Sequence, residues 1–134
     1  MKVNPQSGFV IYAKDPQRLA AFYAQVAALQ VIDTNDDFVV LESNAVQLVI
    51  VRVPREIAES IILTDPPTLR DDTPIKPVLC VSSLAAARAA VAETSGRVKP
   101  PGAEWSFRGV RGVDGNDPEG NVFRLQESAR QALG

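Results

Sequence analysis

Hydrophobic positions in this chain switch between a two-residue and a three-to-four-residue period, and the switches divide it into elements. Residues 8–13, GFVIYA, alternate small and β-prone types and read as a strand. Asp15-Pro16 follows as an N-cap with proline at the first helical position. Leu19, Phe22, Tyr23, Val26 and Leu29 then recur at helical spacing, predicting a helix that ends near Leu29 with one apolar stripe against a sheet. Strand patterns return at 31–34, 38–42 and 46–53, separated by the turn formers Asn35-Asp36-Asp37 and Ser43-Asn44. The first half reads βαβββ.

Residues 54–74 break the periodicity. They hold four prolines around a short apolar patch, Ile61-Ile62-Leu63, and predict a connector with at most one helical turn. The opening pattern then returns: Val78 to Ser83 echoes Val10 to Asp15 at an offset of 68 residues (78 minus 10), close to half the chain. Ser82 or Ser83 caps an Ala-rich helix running to Glu93 or Thr94, with Gly96 placed to terminate it. Further strands are predicted at 97–99, at 105–114 with glycine interruptions, and at 122–126. The second half also reads βαβββ. The expected organisation is one α+β domain over 1–134, with module one at 7–53, the connector at 54–74 and module two at 75–127. Two sheets, each with a helix on one face, leave their other faces free to form a concave, barrel-like cup.

Composition narrows the chemistry. At 134 residues and 46% hydrophobic, the chain can bury one core. Its net charge of -2 and scattered Lys and Arg residues argue against a nucleic-acid partner. No segment reads as a secretion signal or a membrane span, so a cytoplasmic location without membrane attachment is expected. Cys80, the one cysteine, sits in an apolar strand and is expected to be a small buried hydrophobe. There are no histidines, which removes the usual ligand of transition metals and the usual general base near neutral pH.

Two motifs carry a family resemblance over nearly the whole length: IYAKDPQRLAAFY near the start and NDPEGNVFRL near the end. In the second, Asp117-Pro118 opens a tight turn, Gly120 and Asn121 are candidates for positive φ, and a strand leaves from Val122. The chain thereby resembles the vicinal-oxygen-chelate superfamily, which includes glyoxalases, bleomycin-resistance proteins and dioxygenases. The resemblance implies a divalent-metal site whose positions fall here on Gly8, Gln47, Lys76 and Arg124. One of these lacks a side chain, one is a neutral amide and two are cations, so no conventional metal site and no cofactor are expected. The resemblance also implies a homodimer.

Strand alternation puts Gly8, Val10 and Tyr12 on one face, with Gln47, Val49 and Val51, and likewise Lys76, Val78 and Cys80 with Val122, Arg124 and Gln126. If these faces line the cup, Lys76 and Arg124 can take over the metal's positive charge and hold an acidic group. Alternatively they are neutralised internally, by Glu42 or Glu127, or point to solvent. Trp105 and Phe107, with Arg108 and Arg111 close by, lie in a Gly- and Pro-rich stretch, 100–112, that reads as a flexible flap whose aromatics either stack on a flat ligand or pack in the core. Candidate bases are Glu42, Glu104, Asp114 and Asp117, with Tyr12 a candidate acid; Asp117 and Glu119 also read as a turn former and a solvated turn residue. The expected ligand site comprises Tyr12, Gln47, Lys76, Trp105, Phe107, Arg111 and Arg124, with no catalytic residue assigned. The function expected is metal-free binding of a small anionic or aromatic molecule. The alternative is an enzyme of this superfamily, a lyase, isomerase or dioxygenase, using acid-base chemistry or unfamiliar metal ligands.

Overall fold

The computed structural model describes residues 6–128. Strand β1 (Gly8–Ala13) leads into helix α1 (Pro16–Val26), followed by β2 (Gln30–Thr34), β3 (Phe38–Glu42) and β4 (Gln47–Arg52). These strands form one sheet in the order β1-β4-β3-β2, with β1 parallel to β4 and the other neighbours antiparallel. The Asp15 carboxylate accepts a hydrogen bond from the Arg18 amide and Pro16 stands in the first turn, as the start signals predict. The helix stops at Val26, a turn before Leu29, because Ala28 adopts φ 54° and turns the chain into β2. All five residues of β2 are exposed, as befits the outer strand of the sheet.

The connector holds one short helix, α2 (Arg55–Ala58). Strand β5 (Val78–Cys80), helix α3 (Leu84–Glu93) and strands β6 (Arg97–Val98), β7 (Trp105–Phe107), β8 (Val110–Asn116) and β9 (Val122–Ser128) follow. The second sheet runs β5-β9-β8-β6, with β7 also pairing to β8. Among the described residues the two sheets stay separate and do not close into a barrel. Ser83 caps α3 through the Ala86 amide. At its other end Ser95, not Gly96, takes positive φ. Gly96 serves a different need: a Cβ there would lie 2.1 Å from the Phe22 ring, so only glycine lets the strand pass over it.

Helices α1 and α3 cover the same side of the sheets and share one core. Phe22 and Tyr23 of α1 pack edge-on at 5.0 Å, and Phe123 of β9 lies 5.8 Å from Phe22, joining the first helix to the second sheet. Leu19, Leu41, Leu48, Ile50, Val113 and Leu125 are fully buried around them. Each such side chain contributes roughly 1.5–3 kcal/mol by leaving water. Among the described residues, no helix is long and apolar enough to cross a membrane.

The segment expected as one strand with glycine interruptions, 105–114, is two strands joined by a two-residue turn. Arg108 and Gly109 have φ 54° and 81°, the pair of positive values that a type I′ hairpin turn needs. The stretch read as a flap is therefore hydrogen-bonded sheet from Trp105 onward. Cys80 is exposed, not buried: on the edge strand β5 it is Leu79 that points into the core.

Candidate functional site

With the core faces covered by helices, the opposite faces of both sheets stay open. Alternation along β8 turns Val113 inward and leaves Gly112 and Asp114 on the open side, opposite Gln126 and Arg124 of β9. Trp105, paired with Gly112, lays its indole flat across that glycine: a Cβ at 112 would stand 2.4 Å from the ring. The guanidinium of Arg124 sits 4.8 Å from the centroid of the same ring. Its Nε donates to Asp114 Oδ1 at 3.3 Å, and the other carboxylate oxygen accepts from Lys76 Nζ at 2.8 Å. A continuous row results: indole, guanidinium, carboxylate, ammonium.

The partner of the two cations is thus Asp114, whereas Glu42 accepts from Gln47 and Glu127 accepts from the Leu84 amide at the start of α3. Partial burial raises the Asp114 pKa, but the hydrogen bonds and charges of Lys76 and Arg124 more than offset it and hold the carboxyl below its ordinary range. The side chains of Lys76 and Arg124 remain 38% exposed. Only Nε of Arg124 is hydrogen-bonded to the carboxylate, and among the described residues its terminal nitrogens have no hydrogen-bond partner.

The positions matching the superfamily's metal ligands do not fit a divalent cation. Gly8 abuts the β4 backbone at Gln47 and offers no donor. The Gln47 amide donates to Glu42 at 3.3 Å, and Lys76 and Arg124 bring positive charge where a cation would sit. Among the described residues, no three Asp, Glu or Cys side chains cluster in a metal-holding arrangement.

A cavity of about 590 Å³ adjoins the row, between the open face of the second sheet and the connector, which crosses it as a strap. Lys76 and Asp114 line it from the site already described, Leu69, Asp71 and Ile75 from the strap, and Arg97 and Lys99 from β6 and its extension. The strap is pinned where the Arg70 amide donates to the Gly120 carbonyl at 2.8 Å. A second hollow, lined by Val10 and Tyr12 of β1, shares Thr73, Ile75 and Val122 with the first. The sequence reading missed Arg97 and Lys99, although their two-residue spacing around Val98 puts both on one face of a strand.

Of the residues expected in the site, Lys76, Trp105 and Arg124 come together. Tyr12, 64% exposed, lies on the first sheet's open side. Phe107 is 63% exposed at the hairpin tip under Arg108. Gln47 is hydrogen-bonded to Glu42 and makes no bond to the row. Arg111 is a correction: it alternates with Gly112 onto the helix side, where it approaches Glu104 at 4.0 Å, and Glu104 holds Arg88 at 2.6 Å. Two acidic candidates prove structural. Asp117 is fully buried and accepts from the Tyr23 hydroxyl at 2.7 Å and from the amides of Glu119 and Asn121. Burial raises its pKa, with these hydrogen bonds drawing it back only in part; burial and the neighbouring carboxylate together raise that of Tyr23 well above its ordinary value. Glu119 is buried rather than solvated: its two oxygens accept from the Lys14 and Asp15 amides at 2.9 and 2.7 Å, tying the late turn to the start of α1. In that turn Gly120 alone takes positive φ, at 88°, and Asn121 instead bridges to Arg70.

The family described as glyoxalase-like domain matches residues 8–126. The chain belongs to this family. Its fold is shared with a glyoxalase/bleomycin resistance protein/dioxygenase family enzyme from Burkholderia phytofirmans PsJN, at 20% identity and TM-score 0.66 over 91% of this chain and 97% of that one. It is shared too with TnmS3, an antibiotic-binding protein from Streptomyces sp. CB03234 (18%, TM-score 0.61, 96% and 98%). A third similar structure is the bleomycin-binding protein of Streptomyces verticillus, complexed with copper(II)-bleomycin (17%, TM-score 0.56, 96% and 98%). No curated protein matches the sequence.

Proposed function

We propose that this protein binds a small aromatic or anionic organic molecule, without a resident metal, on the open face of its second sheet. The observation that carries the reading is the Trp105 ring seated on Gly112 with the Arg124 guanidinium stacked on it at 4.8 Å. A flat ligand can lie on the outer face of the guanidinium and against the edge of the ring, so that stacking and charge come together with little ordering left to do on binding. The adjoining cavity is of the size small-molecule sites have, and the similar Streptomyces proteins named for binding an antibiotic and bleomycin agree with a binding role. Catalysis by Asp114 as a base is disfavoured, because a carboxylate with a lowered pKa, held by two cations, accepts a proton poorly.

We further propose a homodimer, in which a second copy covers the open side. Val10, Tyr12, Ile75, Val78 and Phe107 leave much apolar surface exposed there. Sedimentation equilibrium tests this part, and a monomer at tens of micromolar would reject it. The binding part is tested by calorimetric titration of chelator-treated protein with planar aromatic acids. A one-to-one isotherm that survives chelation supports it. Binding that appears only after a divalent metal is added back would reject the metal-free reading.

A further inference from the structure

Of the cations around the cavity, two are paired with a carboxylate and two are not. Lys76 and Arg124 share the Asp114 carboxylate. Arg97 and Lys99 line the same cavity from the opposite edge of the sheet, and among the described residues neither side chain has a hydrogen-bond or ion-pair partner. From this we infer that the ligand is an aromatic acid whose acidic group is held at this edge by Arg97 and Lys99, while its ring lies toward Trp105. The inference rests on the binding role proposed above and adds to it the class of ligand and the end at which its charge sits.

Three features support the assignment. First, the spacing fits: the Lys99 amide donates to the Asp114 carbonyl at 3.0 Å, and Trp105 pairs with Gly112 two residues along the same strand. Lys99 and Trp105 therefore stand about 7 Å apart along β8, roughly the reach from a fused ring to its acid group. Second, the register fits: Arg97 pairs with Asn116, whose neighbour on the far side is Val122, an apolar floor beside the cation. Third, the charge balance fits. The lining holds the cations Lys76, Arg97 and Lys99 and the carboxylates Asp71 and Asp114, and Arg124 adds a further cation beside them. That leaves two charges in excess (four minus two), and the cations without a partner are those at β6. A ligand acid there meets free donors, whereas at Arg124 it would have to compete with Asp114.

The test uses two probes with the same ring, 2-naphthoate and its uncharged amide, 2-naphthamide, titrated calorimetrically into wild-type protein and the double variant Arg97→Gln, Lys99→Gln. Both substituted side chains are exposed, so the variant's melting temperature stays within about 2 °C of wild type. The expected result is that wild type prefers the acid at least tenfold and the variant loses that preference, while its affinity for the amide changes less than twofold. If both probes bind and the variant keeps the preference for the acid, the acid subsite at β6 is wrong and the stacking site stands. Equal binding of acid and amide by wild type has the same meaning. Binding of neither probe overturns the inference together with the function it rests on.

Discussion

Arg124 and Trp105 lie against each other at 4.8 Å and each is held separately: the indole rests on Gly112, and the guanidinium is tethered through Nε to Asp114 at 3.3 Å. Neither group can move freely without breaking a contact, so the pair is organised before any ligand arrives.

The ring's seat makes Gly112→Ala a sharp probe. The new methyl would lie 2.4 Å from Cη2 and Cζ2 of Trp105, so the indole must lift off the strand. A loss of about 1–3 kcal/mol in stability is expected, together with a shift in Trp105 emission and at least a tenfold loss of affinity for a planar aromatic acid. Since Trp105 is the sole tryptophan, its fluorescence reports this position alone. An unchanged emission spectrum in the variant would mean that the ring does not rest there.

Asp114 sets a pH dependence of known sign. Its folded-state pKa lies below the unfolded value, so its contribution is present above the ordinary aspartate pKa of about 3.9 and is lost as pH falls through the folded value. Asp117, raised by burial, runs the other way: its contribution is present below its unfolded pKa and fades as pH rises through the folded one. Wild type should therefore be more stable than Asp114→Asn near neutral pH by up to about 1 kcal/mol, as befits a partly exposed pair. The gap should narrow between about pH 5 and pH 3. Urea midpoints across that range check it, and a constant gap would contradict the assignment.

The Glu119 latch predicts a stability cost without a binding cost. In Glu119→Gln an amide NH2 must face one of the two amides, Lys14 or Asp15, that the carboxylate now serves. A buried donor left without an acceptor costs about 1–3 kcal/mol. Denaturant unfolding should show that loss while calorimetry shows ligand affinity within twofold of wild type.

Much of the fold was legible because its elements carry local signals. The Asp15-Pro16 and Ser83 caps and the Leu19, Phe22, Tyr23, Val26 stripe place both helices, and the predicted third strand coincides with β3. What escaped depends on distant partners. The I′ turn at Arg108-Gly109 lacks the Asn-Gly signal that marks such hairpins, so β7 and β8 merged into one strand. Glu119 looks like any turn residue until α1 arrives from 105 positions earlier in the chain to claim both its oxygens. In the site, Lys76 and Arg124 could be singled out because they fall on the superfamily's metal-ligand positions, but their common acceptor could not. Asp114 meets them only when β8 and β9 pair and β5 lies beside β9.

The metal positions make a separate forecast. Gly8 has no donor and Lys76 and Arg124 are cationic, so nickel, zinc or manganese should leave the melting temperature within about 1 °C of the chelated protein. A metal-dependent rise of several degrees would identify donors outside these positions.

The most direct test is a titration of Trp105 fluorescence with 4-nitrobenzoate, excited at the red edge of indole absorption, in wild type and in Arg124→Ala. The stacked site predicts saturable quenching in wild type and at least tenfold weaker binding once the guanidinium is removed. Quenching that never saturates, or that saturates equally in both proteins, would contradict a ligand seated on Trp105 and Arg124.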